Sequence, residues 1–560
     1  MNRIRQRILI IGGVAAGMKT ACRLRRLDPD ADIKVIDRTR NISYGACPLP
    51  YYIEGLYDDI YEVRKTPTGV LRDENFFARV KGFETLTRTE ALQINRAEKT
   101  ILVRHLDSGE ETELGYDKLV MATGNEPIMP PLPGMNLAGV LPLKTMEQAQ
   151  EIDRLALEGK NAVIIGAGLI GLEMAEALST RDLNVTVIEM KDQVLATALD
   201  FNMAAMVHHE LERNGVNLRL AEAVERIEGD NHVTAVVTSK GTYPADLVLV
   251  AVGVRPAVQL AKDAGIELGT TGAIAVNAYL QSSDPDIYAA GDCAECTDFL
   301  SHKKVYVPLG STANKHGRVV ANNIAGRYEQ FPGILGSMAV KVFDLNVART
   351  GMSSVDARLI GLDPESMVVS GFDFAHLYPG NKPIVLKLIA ERSSRKILGA
   401  QVAGPGVVDK RADVIATAIT LGCTIDQLAQ LDLCYAPPFS NAMDVLHQAA
   451  NAMRNKLDGI AESLSAVAVK QLLDNNEKFI FLDVRSPAEH AKQKIKGATL
   501  MPLGALRQKL TELPVDALIV PFCKMSLRGY EAQLILQQAG FRNVRYMEGG
   551  ILGWPYALEG

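Results

Sequence analysis

Apolar residues fall along this chain in short runs of branched side chains, and the first such runs are closed by glycine or by an acidic residue. Residues 7–11, RILII, form the first run. GGVAAG follows, the apolar spacing then predicts a helix to about Leu27, and IKVID, residues 33–37, ends on Asp37. A short branched run bounded by glycine reads as a buried strand, and 3.6-residue spacing reads as a helix packed on it. Strand, glycine turn, helix and acid-ended strand together form the phosphate-binding unit of a doubly wound sheet. Gly12 and Gly17 let the backbone approach a pyrophosphate at the helix N-terminus, and Asp37, 20 residues beyond Gly17, is placed for a ribose diol. Val14 stands where the middle glycine of the pattern falls.

The pattern recurs without that departure in AVIIGAGLIGLEMAEALSTRDLNVTVIE, residues 162–189, through Gly166, Gly168, Gly171 and the strand-ending Glu189. Two such units imply two dinucleotides. A carboxylate at the ribose repels a 2′-phosphate, so the second unit is expected to take NADH rather than NADPH. At 560 residues the chain exceeds one core and predicts three or four domains. Charged residues make up 22% and the net charge is -6, which gives no reason to expect nucleic acid. No apolar stretch approaches the roughly 20 residues of a membrane span, and the start MNRIRQRILIIGG reads as a first strand rather than a leader. Seven scattered cysteines suit a reducing compartment, so a cytoplasmic protein is expected.

LVMATGNEP at 119–127, GVRP at 253–256 and IYAAGDCAE at 287–295 complete an ordered series of motifs. In that order the chain resembles the flavin-dependent pyridine nucleotide-disulfide oxidoreductases over residues 1 to about 450. The resemblance implies an α/β architecture with two Rossmann-like domains. An FAD domain would span 1–125 and 250–334, with Thr123, Gly124, Gly291 and Asp292 at the flavin. An NADH domain would span 126–249, joined at the cofactor by Gly253. An α+β dimerisation domain at 335–450 would make the enzyme a homodimer.

The stretch SYGACPLPY then carries the chemistry. Cys47 has Tyr51 four residues on, where dithiol members of the family place a second cysteine, so a single-thiol mechanism is expected. Ser43, Cys47, Leu49, Pro50 and Tyr51 match the coenzyme A-disulfide reductase pattern, while Ala46 and Pro48 depart from it. HLYPGNKP at 376–383 and DLCYAPPFS at 432–440 resemble motifs whose tyrosines reach the partner's cysteine, a role the resemblance gives to Tyr378 and Tyr435. Lys19, Arg23 and Arg26 share one helical face. With Ser43 and Lys81 they are the expected contacts of coenzyme A, as cofactor or as part of the substrate. Ala15 stands where peroxidase and oxidase members carry a histidine, which counts against peroxide or oxygen chemistry through a sulfenic acid.

After NAMRNKLDG, expected to be a flexible linker within 451–462, residues 463–560 resemble a rhodanese domain through DVRSPAEH, KGAT and MEGGILGW. A nine-residue flexible linker would reach roughly 15 to 18 Å, enough for a carrier arm. LIVPF ends in Cys523 and a helix is expected from about Gly529, so the six-residue loop to Arg528 would turn its amides on the sulfur and hold a persulfide. Cys293 and Cys296 lack the further ligands of a zinc site and read as packed thiols, with Cys22, Cys423 and Cys434 also expected in cores; no metal is expected. The leading expectation is an NADH-dependent persulfide or polysulfide reductase that releases sulfide, with rhodanese sulfur delivery. The alternatives are coenzyme A disulfide as main substrate, an NADH oxidase or peroxidase, or a slow sulfur carrier.

Overall fold

The computed structural model describes residues 5–560. The chain forms two compact units, one made of the chain up to Ile188 with Ala223–Ile334, the other of Glu189–Glu222 with Leu335–Gly560.

The first unit holds two parallel sheets. In one, Arg7–Ile11 lies between Asp32–Ile36 and Lys118–Met121, with Glu84–Leu86 and Ile287–Ala289 at the edges. Ile8, Ile10, Ile33 and Leu119 are all fully buried or nearly so, as a sheet covered on both faces requires. In the other, Asn161–Ile165 lies between Asn184–Ile188 and Leu247–Val250, and Val140–Leu141 follows. Each is accompanied by a three-stranded antiparallel sheet, Thr89–Gly115 and Val224–Pro244. The chain passes between the two layers along Asn125–Pro127 and Val254–Pro256, which pair antiparallel.

The second unit is built on an antiparallel sheet of five strands, in the order Met338–Val342, Leu345–Gly351, Ile397–Gly404, Pro383–Glu391 and Pro364–Phe372. Its C-terminal part has a small parallel sheet with Ile480–Asp483 between Thr499–Leu500 and Ile519–Phe522.

More than half of the segment expected to be a flexible linker is helical. Residues 451–457 belong to the helix Val445–Leu457. Asp444 caps it by accepting the Leu446 amide at 3.0 Å, and is itself gripped by the buried Arg411 at 2.6 Å. Near the other end Lys456 reaches Glu365 of the five-stranded sheet at 3.0 Å and Glu548 of the C-terminal part at 2.8 Å. Burial opposes its charge, yet Glu548 and Glu365 hold its pKa above the ordinary lysine value. Composition marked this stretch as polar, but Lys456 is spent on largely buried ion pairs and Arg454 and Asp458 pair with Asp426 and Arg395. Among the described residues no helix is long and apolar enough to cross a membrane.

Candidate functional site

Both glycine turns are built by close approach. Gly12 has φ +113°, and a Cβ there would lie 2.1 Å from the Ala122 carbonyl oxygen; one on Gly17 would lie 1.9 Å from that of Gly12. Gly166 and Gly171 repeat the arrangement, at 2.5 Å from Ala251 O and 2.1 Å from Gly166 O. Gly168, at the start of the helix Leu169–Thr180, has nothing within 4 Å of its Cβ position, so the turn is open where a phosphate would approach. Asp37 accepts the amides of Gly13 at 2.6 Å and Thr39 at 2.8 Å, and Glu189 follows its strand and accepts the Lys191 amide at 2.9 Å. Gly253, with φ +117°, precedes the returning strand.

The motifs expected at the flavin converge on Asp292. Asn125 donates to it at 2.7 Å, and Lys144 donates to the Asn125 carbonyl. Burial raises the Asp292 carboxyl above its ordinary value against the pull of Asn125 and Lys144. Thr123 donates to the Ala257 carbonyl at 2.6 Å, and Gly124 has φ +72°. The Gly291 amide donates to Nδ1 of the buried His316 at 3.2 Å, and burial lowers that imidazole to about 4. Lys144 and His316 belong to no motif, and Asn125, although inside LVMATGNEP, carries no pattern that marks it as a partner of Asp292.

Cys47 lies in the turn before a short helix, Leu49–Glu54, which packs on the helix Leu169–Thr180. The residue is exposed, yet the thiol is raised above the ordinary cysteine value by desolvation, then by Glu173, with Asp292 adding to it. Glu173 also raises Tyr51 after desolvation, and its own carboxyl is pushed up to about 7 by burial and by Glu176. A resting thiol, not a preformed thiolate, is what these surroundings favour.

The cations expected near Cys47 are not among the groups that act on its thiol, but several act together on Cys22. Lys19, Arg26 and Lys81 all act electrostatically on the half-buried Cys22, whose thiol burial raises, and a fourth, Arg72, joins them. Arg72 comes from the segment 68–75 and is fixed by donating to the carbonyls of Arg64 at 2.9 Å and Val63 at 3.0 Å. Arg23 turns elsewhere, donating to Asn322 at 2.9 Å. Ser43 is buried in a left-handed conformation, φ +54°, with its amide on the Gly13 carbonyl at 2.7 Å. In the second unit Tyr378 and Tyr435 are exposed on neighbouring loops, joined where the Ala375 amide donates to Pro437 O at 3.2 Å. Leu377, Phe439 and Met443 expose apolar surface on the same loops, and Cys434, expected in a core, is exposed among them.

Cys523 ends the strand Ile519–Phe522 and is 2% exposed. The helix after it starts at Leu527, two residues earlier than expected, which shortens the loop. Arg528 forks onto Glu489 at 2.7 and 2.9 Å, drawing that carboxyl down to about 2. Glu489 and, against desolvation, Cys523 raise Arg528 in turn, so the guanidinium interacts with both the carboxylate and the sulfur. Asp483 is buried under Arg485 at 2.6 Å and His490 at 2.8 Å. The packed thiols Cys293 and Cys296 are buried, Cys293 donating to the Met121 carbonyl at 3.3 Å. Among the described residues no group of side chains is arranged to hold a metal ion.

Residues 6–317 match the family described as pyridine nucleotide-disulphide oxidoreductase, 337–447 its dimerisation domain, and 465–556 the rhodanese-like domain. The NAD(P)H coenzyme A polysulfide/persulfide reductase of Pyrococcus horikoshii is 35% identical over 458 residues, 81% of this chain and 99% of that protein. Among solved structures, a NAD-dependent persulfide reductase from A. fulgidus has a TM-score of 0.94 at 43% identity, covering 98% of this chain and all of its own. The reduced CoADR-RHD of Bacillus anthracis has a TM-score of 0.91 at 34% identity, covering 99% and 98%.

Proposed function

Because the chain belongs to the pyridine nucleotide-disulfide oxidoreductase family, we propose that it is an NADH-dependent reductase of persulfide and polysulfide sulfur that works through the single thiol of Cys47. The observation that carries this reading is Cys47 itself, a free thiol with Tyr51 where a disulfide partner would stand, in a family of disulfide reductases. With no partner on the chain, the second sulfur comes from the substrate. Cys47, once deprotonated, attacks the sulfane sulfur of R–S–SH, forming a Cys47 persulfide and releasing R–S⁻. Overall, NADH, a proton and R–S–SH give NAD⁺, R–SH and hydrogen sulfide.

The family works with FAD and a nicotinamide dinucleotide, and the two glycine turns fit such groups, since both repeat the same close backbone approach at Gly12/Gly17 and Gly166/Gly171 and the second is open at Gly168 where a phosphate would approach. FAD, when bound, supplies the two-electron link between nicotinamide and thiol. Gly12, Gly17, Asp37, Thr123, Gly124, Gly291 and Asp292 are assigned to hold it. Gly166, Gly168, Gly171, Glu189 and Gly253 are assigned to the NADH side, where the carboxylate selects against a 2′-phosphate. Coenzyme A, as carrier or as R, is assigned to Lys19, Arg26, Lys81 and Ser43, with Arg23 at the margin and Arg72 added. Tyr378 and Tyr435 are assigned to the partner's Cys47 site in a homodimer, a reading supported by the apolar side chains exposed around them. A tyrosine hydroxyl there would protonate or hydrogen-bond the departing thiolate. Cys523, with Arg528, collects sulfane sulfur, and free thiols throughout suit the cytoplasm.

Coenzyme A persulfide, coenzyme A disulfide and glutathione persulfide, compared anaerobically as NADH acceptors, test the substrate class. A preference of at least about tenfold in kcat/KM for coenzyme A persulfide over the disulfide is expected. In Arg72→Ala the KM of coenzyme A substrates should rise roughly three- to tenfold, as for loss of one charge-assisted contact, with glutathione persulfide unaffected. Preference for the disulfide would instead make coenzyme A-disulfide reduction the main task.

A further inference from the structure

The strand Pro364–Phe372 of the five-stranded sheet is joined to the Cys523 loop by hydrogen bonds that run through Gly549. Ser370 is fully buried and its Oγ donates to the Gly549 carbonyl at 2.6 Å. The Gly549 amide donates to Ser526 Oγ, inside the loop, at 2.9 Å. Gly549 and Gly550 both have positive φ, +73° and +57°, and a Cβ on Gly550 would lie 2.2 Å from Met525 O and 2.5 Å from Cys523 O. The double-glycine turn is therefore pressed against the underside of the loop without slack. Directly after it, the amides of Ile551 and Leu552 donate to the carbonyls of Cys523 at 2.9 Å and Lys524 at 3.1 Å.

This has a consequence for the other side of the loop. In a planar trans peptide the carbonyl and the following N–H point opposite ways. With the carbonyls of Cys523 and Lys524 drawn down, the amides of Lys524 and Met525 point up, and among the described residues neither donates to a backbone acceptor. Such unspent amides are what an anionic sulfur needs. Two further contacts seat the same strand: the Val368 amide donates to Glu548 at 3.0 Å, and Lys524 Nζ lies 5.2 Å from the centre of the Phe372 ring.

We propose that Ser370, a residue of the dimerisation sheet outside the rhodanese-like domain, is a positioning residue for sulfur transfer at Cys523. Its hydroxyl anchors Gly549, Gly549 holds Ser526 and places Gly550, and the amides beyond them orient the loop peptides. The sulfur-transfer loop is thereby completed by a strand from another domain of the same unit. The proposal rests on the reading of Cys523 as the sulfur-carrying residue.

The test compares full-length wild type, Ser370→Ala, Ser370→Thr and Cys523→Ser in thiosulfate-to-cyanide sulfur transfer, read as thiocyanate, with NADH-linked coenzyme A disulfide reduction as the control for folding. In Ser370→Ala, kcat for transfer should fall three- to tenfold with the KM for thiosulfate unchanged and disulfide reduction within twofold of wild type. Ser370→Thr, which keeps the hydroxyl, should recover most of the loss. Transfer in Ser370→Ala within twofold of wild type, while Cys523→Ser is dead, overturns the proposal alone; so does a loss in Ser370→Ala that Ser370→Thr fails to restore. Transfer that survives, or is absent from the outset, independently of Cys523 overturns the reading beneath it.

Discussion

At Cys47 the protein sets a reactive role against an unhelpful environment. Desolvation and the carboxylates of Glu173 and Asp292 keep the thiol protonated more strongly than a free cysteine, and attack on a sulfane sulfur needs the thiolate. Glu173, held up to about 7, is the adjustable part. Below that pH it is largely neutral and spares the thiol; above it, the carboxylate disfavours a second negative charge nearby. Glu173→Gln removes that charge, so the pH profile of iodoacetamide alkylation at Cys47 should move to lower pH, with the effect confined to the region above about pH 7. An unchanged or upward-shifted profile would show that Glu173 does not act on this thiol. Nothing local in the sequence sets Glu173 apart from the other polar residues of its helix. Its proximity to Cys47 depends on packing between two helices more than 110 residues apart, which no local pattern carries.

Among elements, the helix Val445–Leu457 changes the account most. Its apolar face, Val445, Leu446, Ala449, Ala450 and Met453, is buried at helical spacing, so the periodicity was present in the sequence. What concealed the helix was its polar end, because residues that pair inside a protein look the same in sequence as residues that face water. Lys456 holds the 3% exposed Glu548 and the largely buried Glu365 together. Breaking a buried ion pair on one side costs about 3 kcal/mol because charge is left uncompensated. Lys456→Met should therefore raise proteinase K cleavage within 458–462 roughly a hundredfold where cleavage follows the opened population. Equal cleavage in wild type and variant would mean that the segment is mobile after all. The two glycine-turn units, by contrast, were legible despite Val14, since Gly12, Gly17, Gly166 and Gly171 are demanded by backbone contacts of 1.9–2.5 Å that leave no room for a Cβ.

For the whole molecule, a fixed C-terminal part rather than a swinging arm alters how sulfur would travel. The sheet, the helix and the rhodanese-like domain share buried hydrogen bonds, so the travelling group is better assigned to the substrate thiol than to the domain. Coenzyme A suits that role, being a long flexible thiol that carries phosphates, and the cations Lys19, Arg26, Arg72 and Lys81, which act together on Cys22, are its proposed anchor. The order of motifs revealed this organisation because each motif is a local backbone device. The cation cluster was legible only in part, because Arg72 comes from a segment that departs from the family pattern.

The central claim is that one thiol, Cys47, receives the substrate's sulfane sulfur. The measurement closest to it is sulfide release per NADH oxidised, under anaerobic conditions with coenzyme A persulfide, in wild type and Cys47→Ser of matched flavin content. The account predicts one sulfide per NADH in wild type and a fall of at least a thousandfold in Cys47→Ser, with the rate of flavin reduction by NADH preserved. Sulfide release by Cys47→Ser at a rate near wild type would contradict it.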